Sequence, residues 1–252
     1  MYLYGWKYEG RKISDMLHEQ ILEIVEIIND SSKVAGRNWP QLQRYIADEL
    51  GIAPGQVRTI KRMMEEFDIV KKGSLNAKEV PRVDYVYTDN GKTFIELMAT
   101  EKLMRQNPNK DTVEIVKEIK AIYQLYYQKV LLAYTYNENG QTLHPLKATL
   151  KALKKYGYLG YWEWYLLNTI IQNDNDLDEE RELEERITEY RTGKLRFKDA
   201  DIVENQLSHS YLLGNYVYSG LIKVEGSKPN LKITINPNEK DRVDEILNSQ
   251  EV

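Results

Sequence analysis

One helix, predicted between Gln56 and Phe67, carries five polar side chains on a single face. Those side chains are Gln56, Arg58, Thr59, Lys61 and Arg62. The planar fork of an arginine can pair with O6 and N7 of guanine, whereas a lysine more often meets a phosphate. The set therefore predicts contacts with the base edges and the backbone of double-stranded DNA.

The neighbouring segments predict how that helix is held. A shorter helix, Pro40–Leu50, spaces its inward apolar residues four apart, and the breaker Gly51–Gly55 separates the two helices. A loop at Ile69–Gly73 and the alternating residues Val83–Thr88 predict a β-hairpin after the second helix. Two helices, a tight turn and a hairpin indicate a winged helix-turn-helix, which places its second helix in the major groove.

Local charge favours DNA over a protein partner or simple packing for this segment. Residues 31–82 carry ten Lys or Arg against six Asp or Glu, although the whole chain has a net charge of −4. We therefore add Arg44, Lys71 and Lys72 to the predicted DNA contacts. Residues 173–190 account for the acidic balance, with nine acidic groups against two arginines. Because such a segment repels phosphates, we expect it to point away from bound DNA.

A second basic helix is predicted from His144 to Tyr156. No acid lies between Thr142 and Tyr156, and we expect sequence-independent phosphate contacts from Lys147, Lys151 and Lys154. A solvated surface is the alternative for these lysines. The turn Gly157–Gly160, a helix over Tyr161–Gln172 and the acidic helix ending near Arg191 follow.

The last part of the chain repeats the pattern of helices followed by a hairpin. A helix or pair of helices covers Lys198–Ser219, Gly220–Glu225 and Leu231–Ile235 alternate as paired strands, and a last helix ends near Leu247. The sequence thus predicts a mainly α fold with small β-wings, arranged as tandem winged-helix subdomains. We divide it into residues 1–110 with the first winged helix, a helical middle at 111–192, and a winged-helix-like subdomain at 193–252.

Two stretches of this sequence resemble a known family. They are His144-Pro-Leu-Lys-Ala-Thr-Leu-Lys-Ala-Leu-Lys-Lys-Tyr-Gly-Tyr-Leu-Gly160 with Leu167-Asn-Thr169 and Gln172-Asn-Asp-Asn-Asp176, and Tyr218-Ser-Gly-Leu-Ile-Lys-Val-Glu225 with Ile235–Ser249. In order and spacing they resemble the N-terminal recognition region of type IIS restriction and nicking endonucleases, in the group of the Bacillus strand-specific nicking enzymes.

The resemblance implies a recognition part that reads a short asymmetric site in double-stranded DNA as a monomer. In that family a linker joins this part to a C-terminal, metal-dependent nuclease domain. The sequence ends at Val252, where the linker would begin, so we expect a recognition domain without its nuclease or a natural stand-alone relative. Binding would need no cofactor, and Mg²⁺ would be needed only by a separate nuclease domain or subunit.

Few residues could themselves cut DNA. The spacing of a nuclease site occurs only at Asp111 with Glu118-x-Lys120, in a predicted helix with no sheet beside it, so we expect no catalysis by this chain as given. Three other functions stay open. A winged-helix transcriptional repressor or a plasmid or phage replication initiator would bind as a dimer, an active nuclease would cleave with Mg²⁺, and an interaction scaffold would not bind DNA.

Composition narrows the setting of the protein. The chain has no cysteine, three scattered histidines and no signal-peptide-like start. No apolar run reaches the roughly 20 residues of a membrane helix. We expect a cytoplasmic protein with no membrane partner, no metal site and no disulfide.

Overall fold

A computed structural model describes residues 1–8, 10–138, 141–204 and 206–249. Within this part the chain is mainly helical with small sheets of two or three strands, which confirms the predicted class. The helices are α1 (Asp15–Asn29), α2 (Ser31–Val34), α3 (Trp39–Leu50), α4 (Pro54–Glu66), α5 (Val83–Val86), α6 (Asp89–Gln106), α7 (Lys110–Ala133), α8 (Pro145–Tyr156), α9 (Tyr161–Ile170), α10 (Leu177–Arg191), α11 (Gln206–Tyr218) and α12 (Lys240–Asn248). The strands are β1 (Leu3–Tyr4), β2 (Tyr136–Glu138), β3 (Gln141–Leu143), β4 (Leu159–Gly160), β5 (Ile202–Glu204), β6 (Ile222–Glu225) and β7 (Lys232–Ile235).

The chain packs as two compact units. One holds the described residues up to Tyr8 and from Tyr127 onward, and the other holds Gly10–Tyr126. The divisions drawn from the sequence at residues 110 and 192 instead lie at helix ends, where Asn107 closes α6 and Thr192 closes α10. Asn205 and residues 250–252 of the predicted third subdomain lie outside the described residues.

In the unit Gly10–Tyr126, α1 packs against α3, α4 and α6. Asn38 begins α3 with a capping box. Its side-chain oxygen accepts from the backbone amide of Gln41, and the side-chain oxygen of Gln41 accepts from the backbone amide of Asn38. Gly51 ends α3 in the left-handed conformation at φ 62°, which a glycine adopts without steric cost. The two helices predicted from apolar spacing are therefore present, although α4 begins at Pro54 rather than Gln56.

The strand predicted at Val83–Thr88 is wrong. Residues 83–86 form one helical turn, in which the amides of Tyr85 and Val86 donate to the Arg82 carbonyl. Val83 and Tyr85 are exposed while the adjacent Val86 and Tyr87 are both buried, so the apolar alternation does not mark one buried face. Only one antiparallel bridge, between Val70 and Tyr87, occupies the place of the expected hairpin.

The other unit contains the hairpin predicted near the end of the chain. Strands β6 and β7 pair antiparallel with Val224 opposite Ile233, and the short strand β4 pairs with the other edge of β7. The sheet order is thus β4-β7-β6. The helix or helix pair predicted over Lys198–Ser219 is partly wrong, because β5 lies between a short 3-10 helix at Asp199–Asp201 and α11, and it pairs in parallel with β1.

A buried tryptophan pair fixes the first residues of the chain in this unit. The rings of Trp6 and Trp164 meet edge to face at 5.6 Å, and the Trp6 indole donates to the Ile171 carbonyl at 2.8 Å. The Trp6 amide also donates to Asn168 Oδ1, which is fully buried in α9. Both N–H donors of Trp6 are thus satisfied inside the core, as burial requires.

We predict that Gly91→Ala destabilises the unit Gly10–Tyr126 by about 1–3 kcal/mol or more. A Cβ at Gly91 would lie 1.9 Å from the Ile69 carbonyl oxygen, so the backbone must move. Gly55→Ala is the matched control, since no atom lies within 4 Å of its added Cβ and alanine favours helix. Chemical denaturation measures both, and equal stability of the two variants would contradict the packing described.

A second prediction concerns acid. Burial lowers the pKa of His209, which stacks on Tyr165 at 3.6 Å, from its usual 6.5 to about 3. Below pH 6.5 the His209 side chain binds a proton in the unfolded chain but not in the folded unit. The contribution of His209 to the free energy of unfolding is therefore fully present above pH 6.5. It falls toward pH 3 by about 1.4 kcal/mol per pH unit.

Denaturation followed by tryptophan fluorescence at several pH values tests this. His209→Gln should show a shallower loss of stability between pH 6.5 and 4 than the natural sequence. If the free energy of unfolding falls equally with pH in both proteins, His209 is protonated in the folded unit as readily as in the unfolded chain.

Candidate nucleic-acid interface

Helix α4 presents a polar face because its opposite face is buried. Val57, Ile60, Met63 and Met64 are inaccessible to solvent. Gln56 and Arg58 are exposed on the first two turns, as predicted from the sequence. Thr59 is half-buried, and its hydroxyl donates to the Gly55 carbonyl at 3.1 Å, which leaves it less available to a ligand.

Two of the three predicted basic contacts on α4 are engaged within the helix. Lys61 pairs with Glu65 at 2.8 Å, and Arg62 pairs with Glu66 at 2.9 Å. The signal was in the sequence, since a glutamate four residues after a cation lies beside it on a helix. Among the described residues Arg58 has no acidic partner, so it is the cation of α4 that is most available for a ligand.

The loop after α4 is anchored to both helices of the pair. Glu65 accepts from the Gly73 amide at 2.9 Å through the carboxylate that also pairs with Lys61. Further along, the Trp39 amide at the start of α3 donates to the Asn76 carbonyl at 3.0 Å. The loop therefore has a defined position beside α4 although it forms no hairpin.

This loop carries two of the cations that the sequence predicts to contact DNA. The Lys71 ammonium lies 4.4 Å from the centre of the Tyr85 ring, and Lys72 is exposed. Arg44 is exposed on α3. The structure thus brings Arg44, Lys71 and Lys72 into the same unit as Arg58.

The lysines of α8 are largely occupied by partners distant in sequence. Lys151 donates to the Asp174 carbonyl at 3.0 Å, and Lys154 pairs with Asp244 of α12 at 2.8 Å. Lys147 is half-buried and has no ion pair among the residues described. The absence of acids between Thr142 and Tyr156 therefore did not indicate free lysines, because a backbone carbonyl and a carboxylate from other elements engage Lys151 and Lys154.

The acidic helix α10, which we expect to point away from bound DNA, is in contact with the predicted basic helix α8. Most carboxylates of α10 are exposed, while Leu183 and Ile187 are buried. Glu184, however, pairs with Lys155 of α8 at 2.7 Å. Glu179 accepts from the amides of Gln172 and Asn173, so it closes the connection that leads into α10.

Sequence reasoning missed a basic and aromatic cluster in this unit. Arg191 donates to Glu163 at 2.5 Å and to the Tyr158 carbonyl at 2.9 Å, and its guanidinium lies 4.4 Å from the Tyr158 ring centre. The side chain of Glu163 is buried, and it also accepts from the Gly160 amide at 2.6 Å. The available signal was the run of residues 191–198, which holds four cations and no acid.

The residues spaced like a nuclease site do not converge. Asp111 and Glu118 lie on the continuous helix α7, and Lys120 is 3.9 Å from Asp15 of α1. Among the described residues no group of three His, Asp or Glu side chains is arranged to hold a metal ion.

No protein-family model matches the sequence, and no curated protein matches it significantly. In the part of the chain that is described, no helix is both long enough and apolar enough to span a membrane.

Glu65 both pairs with Lys61 and accepts from the Gly73 amide, so replacing it should affect the stability of the unit and the position of the loop. Glu65→Ala removes the bonds to Lys61 and Gly73 together, and we expect a loss of about 1–2 kcal/mol with faster amide exchange at Gly73. Glu66→Ala removes only an exposed ion pair and should cost below about 0.5 kcal/mol. Hydrogen exchange and denaturation compare the variants. Unchanged exchange at Gly73 in Glu65→Ala would show that this carboxylate does not hold the loop.

Proposed function

We propose that this protein binds double-stranded DNA sequence-specifically and that α4 reads the bases. The observation that carries the proposal is the exposed start of α4, where Gln56 and Arg58 project from a helix fixed by a buried row. The short turn between α3 and α4 supports it, because Gln43 donates to the Pro54 carbonyl at 2.6 Å and holds the second helix at its entry.

Each side chain has a chemical role in this proposal. Arg58 offers two parallel N–H groups to guanine, and Gln56 offers a donor and an acceptor that match adenine N7 and N6. Arg44, Lys71 and Lys72 contact phosphates, which position the helix without reading sequence. Lys61 and Arg62 contribute less, since a phosphate must first compete with Glu65 or Glu66.

The finer fold in this proposal is a pair of winged-helix subdomains. In a winged helix, a short strand after the first helix pairs with the last strand of the hairpin. The order β4-β7-β6, with β4 directly after α8 and the hairpin after α11, is consistent with that arrangement. In the unit Gly10–Tyr126 the support is the α3–α4 pair, together with a wing reduced to a loop and the Val70–Tyr87 bridge.

The proposed biological role is the recognition part of a type IIS restriction or nicking endonuclease. The sequence resemblance supports it, and so does a reading face confined to one short helix, which suits a short asymmetric site. The protein would bind as a monomer and leave cleavage, with its Mg²⁺, to a nuclease domain or subunit. A repressor or replication initiator would instead give a dimer on a palindromic or repeated site.

We predict that selection from random duplex DNA enriches one asymmetric motif and that Arg58→Ala loses the preference at one base pair. The loss of discrimination should be about 1–3 kcal/mol at that position. Arg62→Ala is the matched control, because Glu66 already engages its guanidinium, and it should keep the motif. The same motif and affinity in Arg58→Ala would remove this arginine from the interface, and a palindromic motif bound by dimers would favour the repressor alternative.

A further inference from the structure

A cationic surface lies in the unit that does not contain α4. We define the Tyr158 surface by Tyr158, Arg191, Lys194, Arg196, Lys228 and Lys232, which come from the turn after α8, the end of α10 with the following loop, and the hairpin β6–β7. All six residues are exposed. None of them was among the DNA contacts predicted from the sequence.

Aromatic rings and hydrogen bonds hold several of these cations. Arg191 and Lys232 lie 4.4 and 5.2 Å from the centre of the Tyr158 ring. On the hairpin turn, Lys228 lies 4.9 Å from the ring centre of Tyr161. Contacts with rings limit the freedom of the long side chains, so less entropy is lost when they meet a ligand.

Acids near the surface neutralise only part of its charge. Glu163 is buried beneath Arg191, and Asp199 is bonded to Lys228. Glu225 faces Lys232 across the β6–β7 pair without forming an ion pair among the described residues. Lys194 and Lys232 have no acidic partner among the described residues, so both ammonium groups are available to an external anion.

The chemistry of the surface favours a phosphate backbone over bases. The Tyr158 ring already has two cations against it, and Trp162 is buried, so neither offers a free face for stacking a base. The adjoining helix α11 contains no Lys or Arg that could read base edges. Charge without a reading helix suits contacts that are independent of sequence.

We infer that the Tyr158 surface is a second phosphate-binding surface for duplex DNA, with Lys194 and Lys232 as its principal contacts. The inference rests on the proposed function and assigns base contacts and phosphate contacts to different surfaces of the protein. Bases are read from α4, and the Tyr158 surface adds affinity that does not depend on sequence. Lys154 and Lys155 of α8 are not assigned to this surface, because they pair with Asp244 and Glu184. The Lys151 ammonium donates to the backbone carbonyl of Asp174.

The test uses the double variant Lys194→Glu with Lys232→Glu in the full chain. Lys129→Glu with Lys240→Glu is the matched control, since it changes the net charge equally at two other exposed lysines of the same unit. Affinity is measured over a range of salt concentrations for the selected duplex and for an unrelated duplex. Thermal unfolding checks the fold, and the corresponding Lys→Gln pair serves if the Glu pair unfolds.

We expect the test variant to lose affinity roughly 30-fold at 0.15 M salt on both duplexes, the value for two lost phosphate contacts. The plot of log affinity against log salt should become shallower by about 2, and the preferred motif should not change. The control pair should show a much smaller change in both quantities.

Three results would overturn the inference. Affinity and salt slope equal to those of the control pair would overturn it while leaving sequence-specific binding intact. Loss confined to the selected duplex would make this surface a reader of sequence instead. No binding of any duplex by the natural sequence would remove both proposals. Conversely, binding without sequence preference that still weakens in the test variant would support this inference and contradict base reading by α4.

Discussion

The burial of one row of side chains on α4 determines which of its other side chains face solvent and can contact a ligand. Val57, Ile60, Met63 and Met64 follow the helical period and have no contact with solvent. Only one rotation of α4 about its axis buries this whole row. Any other rotation would expose at least one of these side chains to water, which costs about 1.5–3 kcal/mol. The side chains of Gln56 and Arg58 consequently face solvent, and within the described part of the chain neither has a hydrogen bond or an ion pair.

The sequence pattern predicted an element correctly where the signals for it lie within that element or in the adjacent turn. The apolar spacing of α3 and α4, Gly51 between them, and the turn between β6 and β7 are local signals, and each element forms close to its predicted bounds. The strand predicted at Val83–Thr88 is wrong because the alternating apolar residues do not share one buried face. Val83 and Tyr85 are exposed to solvent. Strands β1, β4 and β5 were missed, because two or three residues pair with partners distant in sequence.

The candidate site was harder to predict than the fold, because charge partners come from other elements. Counting charges within one helix made Lys151 and Lys154 look free, whereas the backbone carbonyl of Asp174 and the carboxylate of Asp244 engage them from distant segments. The i to i+4 pairs of Lys61 and Arg62 could have been found from the sequence. The contacts of Arg191 with Tyr158 and Glu163 required the fold, although the basic run that contains Arg191 is visible in the sequence.

We propose above that Arg58 reads a base from the start of α4, and a double-mutant cycle between protein and DNA measures that contact itself. The cycle combines Arg58→Ala with 7-deazaguanine, which lacks N7, at each guanine of the selected site in turn. If Arg58 binds guanine, the two changes are not additive at one guanine, and the coupling free energy there is about 1–3 kcal/mol. Additive effects at every guanine would contradict it.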